Sequence, residues 1–241
     1  MVAVDTFGAN VDNLTWTPVT DSTYTFTGLN SGVHYQAFVR TDCGGGDLSA
    51  INFTDFYTEC DAVAVFPWTE GFEGEWITSN VFGQPTSAPF CWKIYNGGTV
   101  STDSYDFNWQ PNSYSGYAFE GNGSAVMYSY YANDGHNDWL VTPKMTLTGT
   151  QHVTFMAKSS SSYYSLEEIS VWISDENASL TAPSSDTAAL PGFTKIAQFN
   201  DLPTDFFLYE VSLAGYSGNR YIAFAYAVRK SCEMRFQVPS S

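Results

Sequence analysis

His136-Asn137-Asp138-Trp139-Leu140-Val141-Thr142-Pro143-Lys144-Met145-Thr146-Leu147-Thr148-Gly149 is the stretch that decides the fold. A polar entry leads into a short strand, a proline stops it, and a second short strand closes on glycine. Pro143 donates no backbone hydrogen bond, so the chain has to leave the sheet near Thr142. Directly afterwards Val153-Thr154-Phe155-Met156-Ala157 alternates with the period of a strand. Strand, turn, strand and long strand thus follow one another, with Asp138 and Trp139 at the mouth. We read this as the start of a β-sandwich core.

The composition fits that reading. Of the 241 residues 44% are hydrophobic and 17% aromatic, which is ample for one large β domain, or a medium domain plus a smaller module. Nine Lys and Arg against 25 Asp and Glu give a net charge of −16. Such a field excludes nucleic acid and anionic membranes as partners. No apolar run is long enough to cross a bilayer, and Met1–Asp5 has neither a basic start nor an apolar core, so no signal peptide is read there. Ser- and Thr-rich loops, many aromatics and few lysines point to an exported protein in which disulfides are permitted.

Before residue 60 only strands are expected. Ser22–Leu29 alternates, His34–Arg40 follows a turn at Asn30-Ser31-Gly32, and Gly44–Asp47 links to Ile51–Tyr57. Leu29 and Tyr35 bracket that turn at the spacing of a tyrosine corner. None of the four cysteines forms a C-x-x-C pair, so zinc and redox motifs are not indicated. On a regular hairpin Cys43 and Cys60 would stand at opposite ends of a strand, too far apart to bond. Cys60 with Cys91 is the better pair, and Cys43 and Cys232 are left over.

Beyond the linker, further strands are read at Ala125–Ser129, Glu168–Ser174, Phe193–Ala197, Phe207–Leu213 and Tyr221–Val228, with no segment of helical period. The fold class is therefore all-β, built as a two-sheet sandwich.

Two resemblances follow from these motifs. Leu29 with Tyr35, the strand ending in Val39-Arg40-Thr41-Asp42-Cys43, and Phe56-Tyr57-Thr58-Glu59-Cys60 resemble the C-terminal half of a fibronectin type III module. We therefore expect a partial module over 1–60. Glu70-Gly71-Phe72-Glu73, Pro89-Phe90-Cys91-Trp92, the Asn137–Pro143 box, Val153–Lys158, Glu168–Ser174 and Tyr221–Phe224 resemble the cleaved-adhesin domain of gingipain-type haemagglutinins, itself similar to MAM domains. That places a jelly-roll β-sandwich over 61–241. The resemblance implies a bacterial protein that is secreted or displayed on the cell surface. It also implies structural calcium, host or extracellular protein or glycan as ligand, and a monomeric module within a larger multidomain protein. Two departures from the family pattern bear on calcium. No aspartate pair follows the Tyr221–Phe224 strand, and Asp103–Trp109 replaces the family's Asp/Gly-rich loop.

Calcium requires hard oxygen ligands from carboxylates and carbonyls. The candidates are Glu70, Glu73, Asp138 and Glu168, with Glu167 as an alternative to Glu168. Sugar rings stack on exposed aromatic faces. Tyr105, Trp109, Tyr114, Tyr130 and Tyr131, interleaved with Asn, Asp and Gln, are the expected ligand-binding residues. His34, His136 and His152 stand beside no G-x-S-x-G nucleophile motif, and the adjacent Glu167 and Glu168 would point to opposite faces of a strand. Enzymatic activity is not expected. The function expected is an adhesin module. The alternatives are an accessory module of a secreted protease or glycosidase, or a spacer without ligand.

Overall fold

The computed structural model describes residues 1–79, 86–95, 109–112, 116–127, 136–160, 167–185, 188–226 and 234–237. No α-helix occurs among them, and the chain divides into two compact units, Met1–Asp61 and Ala62–Ser241.

The first unit is a three-stranded antiparallel sheet. β1 (Val2–Thr6) and β5 (Asn52–Tyr57) flank β2 (His34–Val39), while β3 (Asp42–Gly44) and β4 (Asp47–Leu48) form a small hairpin across the glycine run. Ala3, Leu14 and Phe38 make its core, with Trp16 and Ile51 packed against them. The Arg40 guanidinium lies 3.9 Å over the Trp16 ring, a cation–π contact. The tyrosine corner is present: the hydroxyl of buried Tyr35 accepts from the Asn30 amide at 3.1 Å. Thr58 Oγ1 accepts from the Val33 amide and donates to the Asn30 carbonyl. The strand expected over Ser22–Leu29 does not form. Tyr24 and Phe26 meet edge to face at 5.0 Å, but no neighbouring strand receives that stretch among the described residues. Alternation stabilises a strand only where a sheet takes up one face.

The second unit contains β6 (Trp76–Ser79), β7 (Thr86–Pro89), β8 (Lys93–Tyr95), β9 (Trp109–Asn112), β10 (Ser124–Met127), β11 (Asp138–Val141), β12 (Met145–Thr148), β13 (His152–Ser159), β14 (Ile169–Ser174), β15 (Phe193–Phe199), β16 (Phe207–Ser212), β17 (Ser217–Arg220), β18 (Ile222–Tyr226) and β19 (Met234–Gln237). Two five-stranded sheets, ordered β16-β13-β19-β10-β9 and β15-β14-β18-β11-β8, form the sandwich. Every pairing in them is antiparallel. Pro111 is accommodated because β9 is an edge strand. β12 leaves the sheet after Pro143, as its sequence requires, and pairs with β17.

Phe155, Phe224, Leu140, Ile94, Trp92 and Trp109 fill the space between the sheets. The second sheet is covered on its outer side as well. There Trp139, Val141, Ala223 and Ala225 pack with Leu190, Leu180 and Phe193. This explains why β11 is buried at every position. Leu140 faces inward, Trp139 and Val141 outward, and the outer pocket is closed by Trp139 against Trp172 at 4.9 Å.

Asn137 makes that outer packing possible. Its Oδ1 accepts from the Trp139 indole at 2.8 Å, and its Nδ2 donates to the Ala188 carbonyl at 2.9 Å. A buried indole N–H left without its acceptor carries a desolvation cost of about 1–3 kcal/mol. Asn137→Ala is therefore expected to lower the stability of the second unit by about 2 kcal/mol in urea unfolding. An unchanged midpoint would show that Asn137 does not serve this role.

Candidate functional site

The acids singled out in the sequence are dispersed, and most of them hold the fold together. Glu70 Oε1 accepts from the Phe72 amide at 2.6 Å and Oε2 from the Trp92 indole at 3.2 Å. This cap fixes Phe72 in the left-handed region at φ 59, a conformation disfavoured for residues with a Cβ. Glu73 Oε1 accepts from both the Asn122 and Gly123 amides at 2.7 Å. Asp138 is fully buried and meets His136 Nδ1 at 3.0 Å, while its carbonyl accepts from the Trp109 indole at 3.3 Å. His136, which a sequence reading leaves in a solvated loop, is only 10% exposed.

Glu168 is half-buried, and its neighbour Glu167 is the buried one. Glu167 Oε2 accepts from the Tyr226 hydroxyl at 2.9 Å, and its amide donates to Ser159 Oγ. Among the described residues no three His, Cys, Asp or Glu side chains come together as a metal centre. Of the acids singled out as ligands, Glu73 is the exposed one, and a calcium ion there would depend on carbonyl oxygens.

Trp109 requires a correction. It is 1% exposed, part of the inter-sheet core, and cannot present a ring face to a sugar. Its position on β9 directs the indole inward, opposite the outward turn that a loop reading assumed. Tyr105, Tyr114, Tyr130 and Tyr131 lie outside the described residues. Cys60 and Cys91 are both disulfide-bonded, and Cys43 is an exposed free thiol.

Among the described residues, one group of exposed aromatic side chains gathers around a cation. On the outer side of the first sheet, Lys158 of β13 carries its ammonium 5.2 Å from the Phe206 ring and 6.0 Å from the Tyr117 ring. Phe119 meets Phe206 edge to face at 5.8 Å. Tyr117, Phe119 and Leu208 are 41%, 46% and 52% exposed. Leu208 stands across from Met156. Further along the same face come Thr154 opposite Glu210, and the His152–Glu210 pair at 3.0 Å. From Lys158 to His152 the strip is about 20 Å long at a strand's rise. It opens with rings around a cation and ends with a carboxylate and an imidazole.

Strand alternation contained part of this signal. Phe206-Phe207-Leu208 is a run of three large apolar residues on a strand, and they cannot all face one core. Tyr209, by contrast, turns inward, 5.3 Å from Phe155 and 4.7 Å from Phe199. Burial pushes its phenol above the ordinary tyrosine range.

No family model and no curated protein matches the chain. Solved structures do. The K1 cleaved adhesin domain of Lys-gingipain from Porphyromonas gingivalis W83 is 16% identical with a TM-score of 0.47, over 72% of this chain and 98% of that one. The K3 cleaved adhesin domain of the same protein is 17% identical at 0.47, over 71% and 96%. The xylan-binding CBM22-1 domain of Paenibacillus barcinonensis Xyn10C is 7% identical at 0.42, over 74% and 94%. Identities and TM-scores this low carry no weight for ligand or activity. The β-sandwich itself rests on the strand pairing described above.

One local constraint ties the Glu70–Glu73 segment to the sandwich. A Cβ on buried Gly123 would run into the Phe72 carbonyl and stand 2.8 Å from the Glu73 nitrogen. Neither is a side chain that can swing away. Gly123→Ala is expected to cost about 2 kcal/mol of stability, read as a lowered unfolding midpoint. A midpoint equal to wild type would mean that the two segments do not approach this closely.

Proposed function

We propose that this chain is a non-catalytic binding module of an exported or cell-surface protein, and that its ligand is a glycan held around Lys158. The observation that carries the reading is the cluster of exposed Tyr117 and Phe119 with half-buried Phe206 beside that cation, and exposed Leu208 on the same face. Surface rings grouped in this way mark a binding surface rather than chance exposure. The C–H faces of a sugar pack on rings, while Lys158 donates and Glu210 accepts from hydroxyls. The net charge of −16 favours neutral saccharides over acidic ones.

In this reading the chain is one monomeric module of a larger multidomain protein. Its first 60 residues act as a partial fibronectin type III-like module, a view supported by the Tyr35 corner. Cys60 pairs with Cys91, and a structural calcium lies at Glu73, completed by carbonyl oxygens. An extracellular protein is the second ligand class, favoured by the apolar character of Phe119 and Leu208.

Two measurements test the proposal. In affinity electrophoresis against xylan, β-1,3-1,4-glucan and galactan, wild type is expected to be retarded by at least one. Lys158→Ala and Phe206→Ala should each weaken that binding about tenfold, equivalent to ~1.4 kcal/mol. Trp109→Phe, a core change, should leave affinity intact. No retardation by any of the three would remove the glycan reading. For calcium, the unfolding midpoint should rise by several degrees on adding calcium over chelator at matched ionic strength. An identical midpoint would remove the ion.

A further inference from the structure

A second feature of the sandwich remains unused by the reading above. At the far end of β13 from Lys158, the segment Phe66–Thr69 closes over the edge of the core and leaves a cavity of about 390 Å³. Its walls are the indoles of Trp68 and Trp92, whose centroids are 6.0 Å apart, the rings of Phe66 and Phe224, the Met145 thioether, and aliphatic groups such as Leu213. The cleft is open at the Thr69 rim, and its apolar walls face water there instead of packing at the density of a core. Engineered apolar cavities of about 150 Å³ already take up benzene, and ligand pockets begin near 300 Å³.

The polar groups of the lining set the chemistry. Thr142 Oγ1 is occupied by the Ile222 amide, and the Gln151 amide by Thr148 and Thr150. His152 is engaged with Glu210. Of the described polar lining residues, Thr69 then remains to meet a ligand's polar atom, and it is exposed on the rim. Among the described residues no Lys, Arg, Asp or Glu lines the space. Two indoles, two phenyl rings and a thioether favour a flat ring that can pack edge to face and against sulfur.

We propose that this cavity is a binding site for a neutral aromatic small molecule of one or two fused rings, with a hydroxyl at the Thr69 rim. An anionic analogue is disfavoured twice over, by the uncharged lining and by the acidic protein around it. The site lies at the His152 end of β13, away from the rings around Lys158, and does not depend on glycan binding.

The test is calorimetric titration of the full chain with 2-naphthol, with naphthalene-2-sulfonate and octanoate as comparisons. The expected result is saturable one-to-one binding of 2-naphthol, at least tenfold tighter than either anion. Val153→Phe, which fills the half-buried wall, should abolish it, and Thr69→Val should weaken it several-fold. Lys158→Ala should leave it unchanged. Absence of saturable 2-naphthol binding to wild type overturns the proposal, whatever the variants do. Equal binding of the sulfonate, or binding that survives Val153→Phe and falls with Lys158→Ala, also overturns it.

Discussion

Burying β11 on both faces is the constraint on which the second unit depends. A strand between a sandwich core and an outer layer exposes no side chain to water, so each polar group it carries needs a partner within the protein. Asn137 supplies one for the Trp139 indole, the Asp138 carboxylate meets His136, and the Asp138 carbonyl serves the Trp109 indole. The Asn-Asp-Trp box is thus a set of hydrogen bonds that lets a tryptophan-rich strand be fully enclosed. Pro143 then ends the strand and sends β12 out to pair with β17.

The outer face of the other sheet is only partly covered: Leu208 and Glu210 of β16 are exposed, while Met156 of β13 is buried. There Phe206 and Leu208 face outward beside Lys158 while Tyr209 and Val211 face the core. Strand alternation produces this division, and it puts rings and a cation together on one outward face.

Much of the sandwich was legible because its strands are strongly patterned. The sequences of β11 to β14 and β18 combine β-branched and aromatic residues with clear stops, and each forms where expected. Other elements carry little pattern. β17 is Ser-Gly-Asn-Arg and finds its place only by pairing with β12, and β19 is a short central strand in a polar tail. Ser22–Leu29 shows the converse, a good pattern with no sheet to receive it. At the site, composition pointed to the aromatic-rich region 103–135 but could not separate Trp109, drawn into the core, from Tyr117 and Phe119, left at the surface. The partners Phe206 and Lys158 come from distant parts of the chain, and only the β13–β16 register brings them together. Similarly, Glu70 and Glu73, two of the acids read as metal ligands, accept backbone and indole N–H groups, a role no spacing rule distinguishes from coordination.

The measurement that bears most directly on this account is hydrogen–deuterium exchange of the full chain with and without saturating xylan-, glucan- or galactan-derived oligosaccharide. The account predicts slowed exchange at 116–120 and 204–208, with β11 equally protected in both states. Protection confined to other segments, with those two unchanged while the saccharide is bound, would contradict it.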